Sequence, residues 1–250
     1  MSDNLKEYYK KTASHYWDTE YKQNGYKVVH DAGTEEKTFA LAAREVDFFL
    51  WPTKDKSESL LNDKENNPYP TFGDDFCFVH KDVELQKPLS ECTVLDYGCG
   101  ILGRYTFALS KYFKQVIGVD IASEAVVGAR KKQKELGIKN VRFVQNDGLS
   151  IPLANNSVDF IFSNLVLQHI GYIGAHRKII AEFARVLNSG GKARLEYLSS
   201  SEARHNDFFS VVEGLGIKTE DLVAAYGECG IDVISLSDKF PYMWVTLCKR

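Results

Sequence analysis

The sequence lacks several features that would assign a chain to a class at once. It has no CxxC pair: five cysteines, Cys77, Cys92, Cys99, Cys229 and Cys248, stand scattered through 250 residues. An odd, unpatterned set points to reduced thiols in a cytosolic setting, not to a disulfide framework or a zinc site, so no metal is expected. No stretch approaches the roughly 20 apolar residues that a bilayer span requires. The opening "MSDNLKEYYKK" is charged and has none of the apolar core of a signal peptide. The resulting expectation is a cytoplasmic protein with no membrane partner. A basic excess is also missing, since 31 Lys and Arg face 34 Asp and Glu, for a net charge of −3. Such a balance offers little to neutralise a phosphate backbone, which disfavours nucleic acid as a partner. The longest like-charge run, "RKKQK" at 130–134, reads as a solvated helix face. Internal repeats and low-complexity tracts are absent as well.

What is present is a chain with 44% hydrophobic residues, enough for one α/β domain with a full core and some additional elements. Its texture changes near Cys92. Before that point two helices are predicted, one from Asn4 to about Trp17 and one from about Glu35 to Phe49. The segment "TKDKSESLLNDKENNPYPTFGDD" that follows is rich in Asn, Asp, Ser, Pro and Lys and reads as a loop or lid. Aromatic residues around it, Tyr26, Trp51, Tyr69, Phe72 and Phe76, suit a water-excluding cover.

After Cys92, strands and helices alternate. "CTVLDYG", "QVIGVDI", "NVRFVQND", "SVDFIFSN" and "KARLEYL" read as strands. "RYTFALSKYF", "SEAVVGARKKQKELG" and "HRKIIAEFARVL" read as helices, the second with Ser123 as its N-cap and Gly137 beyond its end. "NSGG" reads as a turn before the fifth strand. This alternation implies a parallel sheet with right-handed crossovers. The last two strands, "IDVISLS" and "YMWVTLCK", are separated only by "DKFP", too short for a parallel crossover, so an antiparallel hairpin is expected.

The stretch "VLDYGCGILGRYT" carries most of the functional information. Gly98, Gly100 and Gly103 have the glycine spacing of a dinucleotide loop, where the lack of a Cβ lets a ligand approach the backbone. Asp120 ends the second strand about 20 residues on, where an acidic side chain accepts hydrogen bonds from ribose hydroxyls. Both features fit an adenosine ligand without saying which one. Asp96 separates the options, because a carboxylate at the tip of strand one is unfavourable beside a pyrophosphate and favourable beside an ammonium and a sulfonium. Asp147, at the end of strand three, is placed to accept a hydrogen bond from an adenine amino group.

Four segments together, "VLDYGCGILGRYT", "VIGVDIASEAV", "VQNDGLSIPLANNSVDFIFSNLVLQHI" and "EFARVLNSGGKARLEYL", resemble the class I S-adenosylmethionine-dependent methyltransferases of the small-molecule type. "YYKKTASHYWD" is similar to that family's entry helix, and Ser189 stands where the family commonly has proline. The resemblance implies a Rossmann-like fold: a mostly parallel seven-stranded sheet, an antiparallel C-terminal hairpin, and helices on both faces. It implies a division into residues 1–90, the N-terminal helices and substrate cap, and 91–250, the cofactor-binding domain. It implies S-adenosylmethionine as the cofactor, with Asp96 toward its amino end, Gly98, Gly100 and Gly103 against its methionine part, and Asp120 on its ribose. Ile121 and Leu149 would sandwich the adenine, and Asp147 and Gly148 would read its edge. Ser163 and Asn164 would face the sulfonium, and Tyr16 would close over the cofactor. His169 is the candidate general base, because histidine titrates near neutral pH; a histidine merely hydrogen-bonded at a helix start is the bland alternative. His15, His80 and His205 are weaker candidates. The expected reaction is methyl transfer to a nitrogen or oxygen of a small polar metabolite, by a monomer or homodimer. RNA or protein methylation, a non-catalytic binding subunit and a nicotinamide oxidoreductase are the competing readings. The Asn-Pro-Pro-Tyr motif used on base amines is absent, strand four ending "SNLVL".

Overall fold

The computed structural model describes residues 3–24, 34–50, 85–200, 215–239 and 242–250. Two helices come first, α1 (Asp3–Asn24) and α2 (Glu35–Leu50). The alternating region then runs β1 (Thr93–Tyr97), α3 (Arg104–Leu109), β2 (Gln115–Asp120), α4 (Ser123–Leu136), β3 (Val141–Gln145) and β4 (Val158–Ser163). It continues with α5 (Ile173–Val186), β5 (Leu187–Ser199), β6 (Gly216–Ile217), α6 (Thr219–Glu228), β7 (Ile231–Lys239) and β8 (Tyr242–Lys249). Among the described residues no helix is long and apolar enough to cross a membrane.

One sheet joins all strands in the order β3-β2-β1-β4-β5-β8-β7, with the two-residue β6 beside β5. The first five strands are parallel, and β8 runs antiparallel to both β5 and β7. This is the expected mostly parallel sheet with a closing hairpin. The central strands are mostly apolar because both faces are covered. Successive residues point to opposite faces, so Val94, Val116, Phe160 and Phe162 join Phe107 and Trp244 on one side. Leu95, Ile117, Val119 and Ile161 join Ile179 and Phe183 of α5 on the other. Ala42 and Val46 of α2 are buried on the α3 side.

Several local expectations need correction. Helix α1 continues past Trp17 to Asn24. "NSGG" is not a separate turn: β5 starts at Leu187, directly after α5, and absorbs the glycines as a register shift against β4, with Gly190 at φ +72°. Helix α6, with Leu222, Ala225 and Tyr226 buried, lay outside the sequence expectations. The expected cap residues Tyr26, Trp51, Tyr69, Phe72 and Phe76, together with Cys77, His80 and His205, lie outside the described residues.

Ser123 is not the N-cap of α4. Ala122 takes that place and offers no side-chain bond. The capping carboxylate comes from α1 instead: Asp18 accepts the Glu124 N–H at 3.0 Å and the Ser123 hydroxyl at 3.1 Å. A distant acid thus satisfies a free helix donor and fixes α1 across the start of α4. Asp18→Ala is therefore expected to lower stability by about 1 kcal/mol, or roughly 2–4 °C in Tm, and Ser123→Ala by less. Urea and thermal melts check this order; Ser123→Ala as the costlier change would restore Ser123 as the cap.

Candidate active site

The strand order reverses between β1 and β4, and such a reversal opens a crevice at the carboxyl ends of the strands. At that place lies a cavity of about 310 Å³, within the range of small-molecule sites. Its floor is the turn after β1. Gly98 adopts φ +83°, and the N–H groups of Gly98 and Cys99 both bond the Val119 carbonyl, at 2.8 and 2.9 Å. A Cβ at Gly98 would come within 2.3 Å of the Val166 side chain, so only glycine fits between the tips of β1 and β4. At Gly100, φ +65°, a Cβ would meet only the Tyr21 hydroxyl at 3.5 Å and would stand in the cavity itself.

Asp120 ties this turn to β2. Its Oδ2 accepts the Gly100 N–H at 2.9 Å and its Oδ1 the Ala122 N–H at 3.0 Å. Burial pushes its pKa up to about 6, against the lowering by backbone donors, Ala122 and Gly100 first. A carboxylate has about four acceptor positions, and this one lines the cavity with two of them used by backbone donors.

Seven of the expected residues meet at this cavity: Gly98, Gly100, Asp120, Ile121, Gly148, Asn164 and His169. Asp147 lies just outside, in a shallower groove that shares Ile121 and Asn146 with the cavity. Its Oδ1 accepts the N–H groups of Leu149 and Ser150, at 3.0 and 2.7 Å.

The remaining expected residues are placed otherwise. Asp96 does not line the cavity; strand alternation puts it on the α3 face of β1, where its Oδ2 accepts the Thr106 hydroxyl at 2.6 Å. Burial drives its pKa up to about 7, offset first by that hydroxyl. Gly103 packs on the Phe143 ring, and Leu149 is 2% exposed in the core. Ser163 donates to the Tyr97 carbonyl at 2.9 Å and so clamps β4 to β1. Tyr16 lies away from the wall, edge-on to Trp17. The residues of α1 that do line it are Ala13, Trp17 and Tyr21, four apart along one helix face, a spacing that would have found them in the sequence.

Other wall residues carried no such signal. Leu165 sits at φ +57°, a strained conformation for leucine, with its N–H held by Glu196 Oε2 at 2.8 Å. His169 ends the single turn Leu167–His169; its ring meets Trp17 edge-on at 5.2 Å, and its Nε2 lies 3.3 Å from the Gln168 amide nitrogen. Among the described residues, four buried side-chain atoms of the wall have no hydrogen-bond partner: Arg104 Nη1, Asn146 Oδ1, Asn164 Oδ1 and Gln168 Oε1. Buried polar atoms are nearly always satisfied, so their gathering at one cavity marks a place for a polar ligand.

Residues 95–195 match a family model described as a methyltransferase domain. That segment is thus similar to a methyltransferase domain. The "Uncharacterized methyltransferase YcgJ" of Bacillus subtilis is 35% identical over 116 residues, 45% of this chain and 44% of that one. The malonyl-[acyl-carrier protein] O-methyltransferase of Yersinia pestis is 34% identical over 112 residues, 45% of this chain and 39% of that one. The chain thus matches less than half the length of either curated relative. A SAM-dependent methyltransferase structure from Aquifex aeolicus shares the fold, with TM-score 0.52 and 21% identity over 87% of this chain and 98% of that one. The matched segment, 95–195, contains the glycine turn, the β2 acid and the β4 tip that surround the cavity described above.

The buried acid Asp96 makes the domain sensitive to pH. Its folded-state pKa lies above the ordinary 3.8, so its contribution to stability is full below about pH 4 and lost as pH rises through about 7. His176, held near a pKa of about 4 by burial, acts in the opposite direction between its folded and unfolded values. Comparing the wild type with Asp96→Asn cancels the histidine. The variant is expected to gain stability relative to the wild type as pH goes from 5 to 8, by on the order of 1 kcal/mol or more. Urea titrations at both pH values check this; a difference that stays constant would mean that Asp96 titrates normally.

Proposed function

We propose that the chain transfers a methyl group from S-adenosylmethionine to a nitrogen or oxygen of a small polar metabolite. The observation that carries this reading is Asp120, a cavity-lining carboxylate at the end of β2 that also holds the glycine turn. Its remaining lone pairs suit the two hydroxyls of a ribose. The adenine would lie toward Ile121 and Gly148, with Asp147 at its edge in the adjoining groove. Ala13 and Trp17 of α1 would cover it, with residues 1–90 as the N-terminal helices and substrate cap and 91–250 as the cofactor-binding domain.

S-adenosylmethionine supplies an electrophilic methyl group on a sulfonium. The chain's own contribution is to bind, align and keep dry. Gly98 and Gly100 let a ligand lie against the backbone, and Trp17, Val166 and Ile170 exclude water from the same space. His169, on the wall beside Gln168, is the group we assign to take a proton from the acceptor. The O-methyltransferase from Yersinia pestis supports an oxygen acceptor as one of the two options.

Calorimetry should show binding of S-adenosylmethionine and S-adenosylhomocysteine and none of NADH. Asp120→Ala is expected to weaken S-adenosylhomocysteine by roughly ten- to a hundredfold or more, since a bidentate charge-assisted contact and the loop anchor are lost together. Binding of NADH, or unchanged affinity in a folded Asp120→Ala variant, would overturn the reading. Once an acceptor is found with labelled methyl donor, His169→Ala should lower kcat by roughly 10²- to 10⁴-fold and leave S-adenosylhomocysteine affinity intact. An unchanged rate would make His169 a wall residue only.

A further inference from the structure

The ladder between β4 and β5 ends with Ser163 opposite Leu195. One residue farther along β5, a side chain takes over. Glu196 is 4% exposed, and its Oε2 accepts the Leu165 N–H at 2.8 Å. Leu165 is left-handed, at φ +57°. For a residue with a Cβ, that conformation is disfavoured by roughly five- to thirtyfold in population. A hydrogen bond to a carboxylate favours its donor by roughly ten- to a hundredfold. The bond is the larger of two similar effects, so Leu165 holds its conformation while Glu196 supplies the acceptor.

Leu165 lies between two close contacts. On one side the Asn164 amide nitrogen bonds the Tyr105 hydroxyl of α3. On the other, Val166 packs so closely on Gly98 that a Cβ there would meet it at 2.3 Å. Farther along, the Gln168 carbonyl accepts the Leu215 N–H and the Ile170 carbonyl accepts from His176 Nε2, both at 2.8 Å. The segment 164–170 supplies six residues of the cavity wall, His169 among them. Its course from β4 onward depends on the backbone angle at Leu165.

We propose that Glu196 is a positioning residue: its carboxylate holds Leu165 left-handed and thereby sets the β4 side of the cavity wall, where the bound S-adenosyl compound meets His169. Glu196 acts through Leu165, from the β5 strand behind the wall. The inference rests on the methyl-transfer reading above for what the cavity holds, and on the backbone at Leu165 for how the wall is shaped.

A double-mutant cycle tests it, with S-adenosylhomocysteine binding measured by calorimetry on the full chain and thermal melts to check folding. In Glu196→Leu the left-handed state loses its support. Affinity should fall by roughly five- to thirtyfold, the factor by which that state is depopulated. Glu196→Gln keeps an acceptor oxygen and should stay within about threefold of the wild type. Leu165→Gly removes the penalty on positive φ, so Glu196→Leu added to it should cost less than about threefold more. An equal cost of Glu196→Leu with and without Leu165→Gly would overturn the proposal. So would unchanged affinity in Glu196→Leu, or a loss in Glu196→Gln as large as in Glu196→Leu. Amide exchange on the unliganded protein separates this inference from the reading it rests on. Glu196→Leu should speed exchange in 165–170 and leave β1 and β2 as in the wild type, and Glu196→Gln should not. That pattern in a chain that binds no S-adenosylhomocysteine would defeat the cofactor reading and leave the Glu196 clamp standing. Unaltered exchange in 165–170 would defeat the clamp, whatever the cavity binds.

Discussion

Two hydrogen bonds to one carboxylate, from Gly100 and Ala122 to Asp120, join the end of β2 to the turn after β1. The glycine turn has little side-chain material of its own to hold it. Gly98, Gly100 and Gly103 all take positive φ, and the turn's shape is imposed from outside. Val119 accepts two of its N–H groups, and Asp120 accepts a third. The same acid fixes Ala122, from which α4 departs. The end of β2, the turn and the helix start are thus placed by one residue, which also lines the cavity.

The tip of β4 is secured by similar means. Ser163 bonds the last carbonyl of β1, and Glu196 of β5 holds the N–H of Leu165 while that residue adopts a left-handed conformation. Each contact crosses from one strand to the next at the open end of the sheet. Strain at Leu165 and unsatisfied atoms at Arg104, Asn146, Asn164 and Gln168 occur at the same end. Stability has been conceded where the strand order reverses, and the helices behind, with mostly apolar strands between them, supply the offset.

Much of this was legible in the sequence because it depends on short-range rules. Apolar runs with glycine at their ends gave the parallel strands, and the four-residue link gave the closing hairpin. The glycine spacing and the acid at the end of β2 located the cavity. What was not legible depends on contacts between distant segments. Ser123 had the right residue type for a helix cap, yet Asp18 of another helix supplies the carboxylate. Asp96 had the right position for a cofactor contact, yet the alternation of the strand turns it toward Thr106. Tyr16 and Trp17 are adjacent aromatics, and only the helix phase, carried by Ala13 and Tyr21, decides which one meets the cavity. Arg104 stands in the glycine motif, yet only its burial at the cavity wall, with Nη1 unbonded, marks it.

Hydrogen–deuterium exchange with and without saturating S-adenosylhomocysteine tests most directly whether the end of the sheet around Asp120 is the cofactor site. Slower exchange is expected in 97–104, 119–122 and 164–170, and along α1 at 13–21, with the helices on the far side of the sheet unchanged. Binding that left those four segments exchanging as before, or that protected the β7–β8 hairpin instead, would contradict it.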